Sequence, residues 1–272
     1  MLIDTPHGVL GALGAGDAGP AVLLLPQSPL GSRQYVRVLP RLAAAGFRAI
    51  APDLMGYGDS DPRQRHWSIE DFAGLARDVL DRLGITSAVV VAGHFAAQAA
   101  IELAASAPQR VVALVLDGTP LYATEIRERL RAAPPPPPAS DDGSHAAEMW
   151  RRTTAFLKAW DPSGASLREP GTAGALRALY FNFVRTNYEP AVTPAIAAHD
   201  TAGRLQLVSR PVLALTADGD SLKGCHEQVL ALCPRARGHR FTGRHPLQAL
   251  DGGDADRWLE VVLPFIAAQA GA

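Results

Sequence analysis

The stretch from Ala88 to Ala107 limits the fold more than any other part of the chain. Ala88-Val89-Val90-Val91-Ala92 leads directly into Gly93-His94-Phe95-Ala96-Ala97 and then into an alanine-rich run from Gln98 to Ala107. The first five residues suit a strand buried on both faces, and the alanine-rich run suits a helix. Small side chains at Gly93 and Ala97 let strand and helix approach closely across a tight turn. A strand that passes straight into a helix belongs to a parallel sheet covered by helices.

The same alternation recurs along the chain. Strands are predicted at Ala21 to Leu25, Arg48 to Pro52, Ala88 to Ala92 and Val111 to Asp117, and again at Pro211 to Thr216 and Arg237 to Phe241. Helical spacing marks Tyr35 to Ala45, Ile69 to Leu83 and Asp254 to Ala268. The pattern breaks between Pro120 and Arg210, where amphipathic stretches from His145 to Trp160 and from Thr172 to Tyr188 replace buried strands. We therefore expect a core of residues 1–119 and 211–272 with a helical cap of residues 120–210. Pro134 to Pro138 favours extended polyproline geometry and is expected to be a surface linker inside that cap.

Composition excludes several partner classes. With 272 residues, 47% of them hydrophobic and 19% charged, the chain suits one large soluble globule. A net charge of −1 gives no electrostatic footprint for nucleic acid or an anionic membrane. Cys225 and Cys233 are expected to be free thiols, and no Cys/His metal pattern accompanies them. No apolar stretch is long enough to span a bilayer, so cytoplasmic residence is expected. No cofactor or metal is expected, and a homodimer stays open.

Several motifs together resemble the α/β-hydrolase superfamily. Asp53-Leu54-Met55-Gly56-Tyr57-Gly58-Asp59-Ser60 is similar to the family's D-x-x-G-x-G-x-S turn, and Gly93 to Ala97 resembles its G-x-S-x-G elbow. The middle residue of such an elbow sits on a strained turn and acts as nucleophile; in this pentapeptide it is Phe95, which has no lone pair to attack a carbonyl. His94, preceding it, is expected to be scaffold that points away from the pocket. Leu215 to Asp220 is similar to the family's acid turn, and Thr242-Gly243-Arg244-His245-Pro246 to its histidine loop. The resemblance implies that Asp220, with Asp218 as fallback, orients His245 as a base.

The oxyanion side also departs from the family pattern. In Leu25-Pro26-Gln27-Ser28-Pro29-Leu30, the two prolines have no N–H to donate. Candidate donors are the amides of Gln27, Ser28, Leu30 and Ala96 and the side chains of Gln27 and Ser28. Ser28 is also weighed as a relocated nucleophile. Tyr35, Tyr57, Trp150 and Tyr180 are expected to line an apolar pocket. Phe156, Trp160, Phe181, Phe183 and Tyr188 supply further aromatic surface in the cap. The implied activity is on a small, largely apolar carbonyl, ester or lactone compound without a serine nucleophile, with a His/Asp dyad as general base on water or substrate. Rival expectations are a catalytically silent small-molecule binder or accessory protein, and a non-hydrolytic lyase or cofactor-free oxygenase on the same fold.

Overall fold

The computed structural model describes residues 1–28, 30–63, 65–132, 140–160, 192–243, 245–247 and 254–271, with side chains 153 and 156–160 left aside. Eight strands form one sheet: β1 (Leu2–Thr5), β2 (Gly8–Ala15), β3 (Ala21–Leu25), β4 (Arg48–Pro52), β5 (Ala88–Gly93), β6 (Val111–Asp117), β7 (Val212–Ala217) and β8 (Ala236–Phe241). They lie in the order β1-β2-β4-β3-β5-β6-β7-β8, with the first two pairings antiparallel and the rest parallel. The fold is a mostly parallel eight-stranded sheet flanked by helices. The β1–β2 hairpin is absent from the predicted strands because Gly8, Gly11 and Gly14 interrupt the apolar alternation that marks a strand.

Helices cover both faces. In chain order they are α1 (Leu39–Ala44), α2 (Ile69–Arg82), α3 (Phe95–Ser106), α4 (Thr124–Arg131), α5 (Ser144–Trp160), α6 (Val192–Ala198), α7 (Thr201–Gln206), α8 (His226–Leu232) and α9 (Ala255–Ala270). One face of the sheet packs α2 and α3 through Leu23, Leu25, Val90, Ala92, Phe72, Val79, Phe95 and Ile101. The opposite face packs α1 and α9 through Val22, Leu24, Val89, Val91, Leu42, Trp258 and Val262. Burial on both faces explains the uninterrupted aliphatic runs of β3, β5 and β6. The expected helix from Tyr35 divides into a 3-10 turn at Ser32–Tyr35 and then α1.

Between Pro120 and Arg210 the described residues hold the helices α4, α5, α6 and α7 and no strand, joined by loops and turns. The Pro134–Pro138 run and the expected helix from Thr172 to Tyr188 lie outside the described residues. A buried polar group fastens α3 to α7. Arg204 donates from Nε and Nη2 to both oxygens of Glu102 at 2.6 and 2.7 Å, and Gln98 Nε2 donates to Thr201 Oγ1 at 2.6 Å. His199 Nε2 stands 3.3 Å from Glu102, close enough for Glu70, Glu102 and His199 to share a cation, but the Arg204 guanidinium already neutralises that carboxylate.

The turn after β4 is held from within. Asp53 accepts hydrogen bonds from the amides of Ser32 at 2.6 Å and Asp59 at 3.0 Å, and Ser60 Oγ donates to the Asp53 carbonyl at 2.7 Å. Gly58 has φ +50, and a Cβ there would come within 2.1 Å of Asp53 Oδ2. Left-handed strain alone costs about 1–3 kcal/mol. Gly58→Ala is therefore expected to destabilise the fold by at least that amount, read as a lower urea midpoint at unchanged slope; an unshifted midpoint would contradict the steric account.

Candidate active site

The parallel strands deliver their chemistry-bearing residues to the carboxyl end of the sheet, the end at which open α/β folds bind ligands. β5 ends at Gly93, and the next residue, His94, has φ 50 and ψ −123. It is the one non-glycine residue with positive φ among the described residues. The strained apex of the turn is thus His94, and the expected position Phe95 is instead the first residue of α3. Phe95 is buried and packs edge-on against Phe72 at 5.4 Å. The small residues flanking the apex at two positions on either side are Ala92 and Ala96, both fully buried.

His94 also departs from its expected scaffold role. Its side chain is 16% exposed, and its Nε2 stands 3.3 Å from Oδ1 of the buried Asp220. Asp220 Oδ1 also accepts the Leu222 amide at 2.8 Å. Burial pushes the Asp220 carboxyl upward, but the His94 hydrogen bond and charge, the Leu222 amide and His245 outweigh it and leave it below its ordinary value. Asp220 Oδ2 is buried with no hydrogen-bond partner among the described residues. Gly118 (φ +74) makes this approach possible, because a Cβ there would lie 2.8 Å from the His94 ring and 2.9 Å from Asp220 Oδ2.

His245 does not meet Asp220 as expected. Its Nε2 is 2.5 Å from Oδ1 of Asp117, the last residue of β6, whose Oδ2 accepts from Trp258 Nε1 at 3.0 Å. Its Nδ1 accepts the Leu247 amide at 3.2 Å, so the ring proton resides on Nε2, directed at Asp117. Both nitrogens are engaged, and the side chain is buried. Burial lowers the His245 pKa, but the Asp117 charge and hydrogen bond, helped by Asp220, raise it above the ordinary histidine value. The fallback Asp218 is exposed and bonds Arg240 Nε at 2.7 Å and the Gly243 amide at 3.0 Å, away from both histidines.

The remaining candidates divide between the site and the scaffold. The Gln27 amide donates to Gln34 Oε1 at 3.0 Å, and the Leu30 amide donates to the Gln27 carbonyl at 2.8 Å, so neither backbone donor is available for an oxyanion. The Gln27 side chain is buried beside Gly93, and its Nε2 has no hydrogen-bond partner among the described residues. Ser28 Oγ donates to Tyr57 Oη at 2.9 Å, and Tyr35 Oη donates to the Leu25 carbonyl at 3.2 Å. Burial, with Asp117 nearby, holds the Tyr35 phenol well above its ordinary value, which makes it part of the scaffold. Ala96 lies in the first turn of α3, and Trp150 is exposed on α5. Tyr180, Phe181, Phe183 and Tyr188 fall outside the described residues, as do the side chains of Phe156 and Trp160.

Three participants were not expected. Asp117 is legible in retrospect as an acid followed by glycine at the end of an apolar run, whereas nothing in the sequence links Trp258 to it. Tyr122, in the loop after β6, is pushed up to about 12 by burial, then by the nearby Cys225 and Asp220.

A family model described as the alpha/beta hydrolase fold matches residues 20–162, more than half of the chain. The chain belongs to the α/β-hydrolase fold family. A haloalkane dehalogenase from Mesorhizobium japonicum is 38% identical over 100 residues, covering 37% of this chain and 32% of the relative. Epoxide hydrolase 2 from Siraitia grosvenorii is 37% identical over 100 residues, covering 36% and 32%. The match thus spans about a third of the length of these curated relatives. A thermophilic esterase from Thermogutta terrifontis superposes with a TM-score of 0.77 at 18% identity, covering 99% of this chain and 98% of that one. An enol-lactonase from Burkholderia xenovorans LB400 gives 0.77 and 18%, covering 98% and 100%. At such identities these two likenesses show the fold alone. Among the described residues, no helix is long and apolar enough to cross a membrane.

The pairing of His245 with Asp117 has a consequence for pH. A raised folded-state pKa stabilises the fold fully below the unfolded histidine value of about 6.5, and that contribution is lost as pH rises through the folded value. Unfolding free energy is therefore expected to fall as pH rises above about 6.5, and Asp117→Asn should flatten that slope. Equal slopes in both proteins, measured by urea titration at closely spaced pH values, would refute the pairing.

Proposed function

We propose that the chain is a hydrolase-like enzyme acting on a small, largely apolar carbonyl, ester or lactone compound without a serine nucleophile. A His/Asp pair acts as general base on water or on the substrate. The observation that carries this reading is the placement of His94 at the strained apex, with Nε2 3.3 Å from buried Asp220. We assign the base to that pair, because both nitrogens of His245 are taken up by Asp117 and the Leu247 amide. The first-turn amides of α3 and Gln27 Nε2, which has no partner among the described residues, supply hydrogen-bond donors for developing negative charge. Residues 120–210 are proposed as the cap over this end of the sheet, and a small molecule as the partner. The names of the dehalogenase and epoxide hydrolase relatives add halide displacement and epoxide opening by activated water to the reactions worth testing.

A silent binding protein is the second reading, favoured by the burial of His245 against Asp117. Turnover of a panel of small aryl esters, alkyl esters, lactones, epoxides and haloalkanes separates the two. His94→Gln and Asp220→Asn are each expected to lower kcat about 10²–10⁴-fold, the usual contribution of general-base catalysis. If His94→Gln leaves turnover intact while His245→Gln abolishes it, the base has been assigned to the wrong histidine.

A further inference from the structure

We infer that the amino ends of β7 and β8 form a binding site for a small carboxylate with a compact apolar body. The site lies at the opposite end of the sheet from His94 and stands independently of the catalytic reading. A cavity of about 210 Å³ opens there, lined by Pro211, Val212, Arg235, Arg237, Phe265 and Gln269. β7 starts in it at Val212 and ends at Ala217, roughly 17 Å away at about 3.3 Å per residue, before the chain turns to Asp220. A ligand held at one end therefore leaves the other end clear.

The strand and helix periods bring the lining residues together. β8 is the last strand of the sheet, so one of its edges has no neighbouring strand. Side chains alternate between the faces along it, and Phe241 is buried in the core on the α9 side. Arg237 shares that parity, as does Arg235 just before the strand, which sets two guanidiniums side by side on the α9 face. Phe265 and Gln269 stand one turn apart on α9 and present a ring and an amide to the same cavity. Val212 and Phe265 are buried, and with Pro211 they form the apolar part of the lining.

Charge selects the ligand. No acidic side chain is among the described residues that line the cavity. Arg235 Nη1 donates to the Ser209 carbonyl at 2.8 Å, which steadies that guanidinium while its Nε and Nη2 donate to no other described residue. Arg237 is exposed and makes no hydrogen bond or ion pair among the described residues. Cations often bond the last carbonyls of a helix, but neither arginine donates to the end of α9 at Ala270. Basic residues also deter pairing along an edge strand, a duty that needs neither a shared face nor an apolar lining. Adjacent guanidinium forks match the two oxygens of a carboxylate and bind them through charge-assisted hydrogen bonds. The apolar residues take the body of the molecule. Its size is set by the cavity, which has room for about seven waters at about 30 Å³ each and falls below the roughly 300–1,000 Å³ of sites for larger ligands. An aryl acid such as benzoate has that size and polarity, and a nucleotide or a long acyl chain does not.

The test follows the backbone amides of the full chain by NMR during titration with benzoate, with benzamide as the neutral counterpart. Saturable shifts are expected at Val212, at residues 235–238, and at Phe265 and Gln269, and benzamide should produce none of them. Arg237→Gln should weaken benzoate binding about 10-fold, the usual worth of a charge-assisted hydrogen bond, and Arg237→Lys should recover only part of that loss. Unchanged amide positions away from the cavity verify that each variant folds. Arg240→Gln removes an equal charge from the other face of β8 and should leave the affinity as it is. Benzoate shifts confined to the surroundings of His94 and Asp220 place the acid at the other end of the sheet and overturn the proposal. Equal binding of benzamide overturns it by removing the guanidiniums from recognition. An equal loss in Arg240→Gln overturns it by reducing the effect to net charge, and so does the absence of any saturable shift.

Discussion

The strained backbone of His94 is the constraint on which the rest of the site depends. A residue at φ 50 and ψ −123 costs about 1–3 kcal/mol and persists only where its surroundings enforce it. β5 is hydrogen-bonded on both sides, to β3 and β6, and the His94 amide donates to the Asp117 carbonyl at 3.1 Å. On the other side of the turn, the Ala97 amide donates to the His94 carbonyl at 2.9 Å and starts α3. Alanines 96, 97, 99, 100 and 104 bring that helix close to its neighbours, and Glu102 and Gln98 fasten it to α7. The buried ends of strand and helix leave the chain no relaxed way to join them.

Two carboxylates and two imidazoles share this corner, and packing decides which meets which. Asp117 continues the alternation of β6, so its side chain falls on the α9 face of the sheet, where Trp258 Nε1 satisfies one oxygen. The ring of His245, packed edge-on against Phe241 at 5.8 Å, is drawn to the other. Asp220 begins a turn beyond β7 and reaches across Gly118 to the apex. A buried carboxylate without a partner is far more costly than one that is paired, and each acid takes an imidazole from a different strand end: Asp117 after β6 takes His245 after β8, and Asp220 after β7 takes His94 after β5. The result is two Asp/His pairs in place of one three-membered chain.

Much of the fold was legible because its signals are local. Aliphatic runs at Ala21 to Leu25 and Val111 to Asp117 coincide with β3 and β6, and the helical spacing from Ile69 to Leu83 with α2. The site was legible only to the level of its loops. The pentapeptide Gly93 to Ala97 satisfies the small-residue rule when centred on Phe95, yet Ala92 and Ala96 satisfy it equally when centred on His94. Composition cannot choose between registers that differ by one residue; the backbone can. The partner of His245 was hidden for another reason, since Asp117 and Asp220 each end or follow a strand beside it, and the choice turns on Trp258, which is far away in sequence. The β1–β2 hairpin escaped because its glycines blur the alternation.

An imidazole at the apex also explains why the second histidine can withdraw. A hydroxyl placed there has to lose its proton before it can attack, so a separate base must face it across the crevice. An imidazole paired with a carboxylate does not need its own proton removed before it can act as a base. On this reading, the loop after β8 is released from presenting His245 to the crevice. The ring is then available to satisfy Asp117, whose other oxygen accepts from Trp258 Nε1. On this reading the burial of His245 and the placement of His94 at the apex go together: with Asp220 beside the imidazole at the head of α3, His245 is left to pair with Asp117.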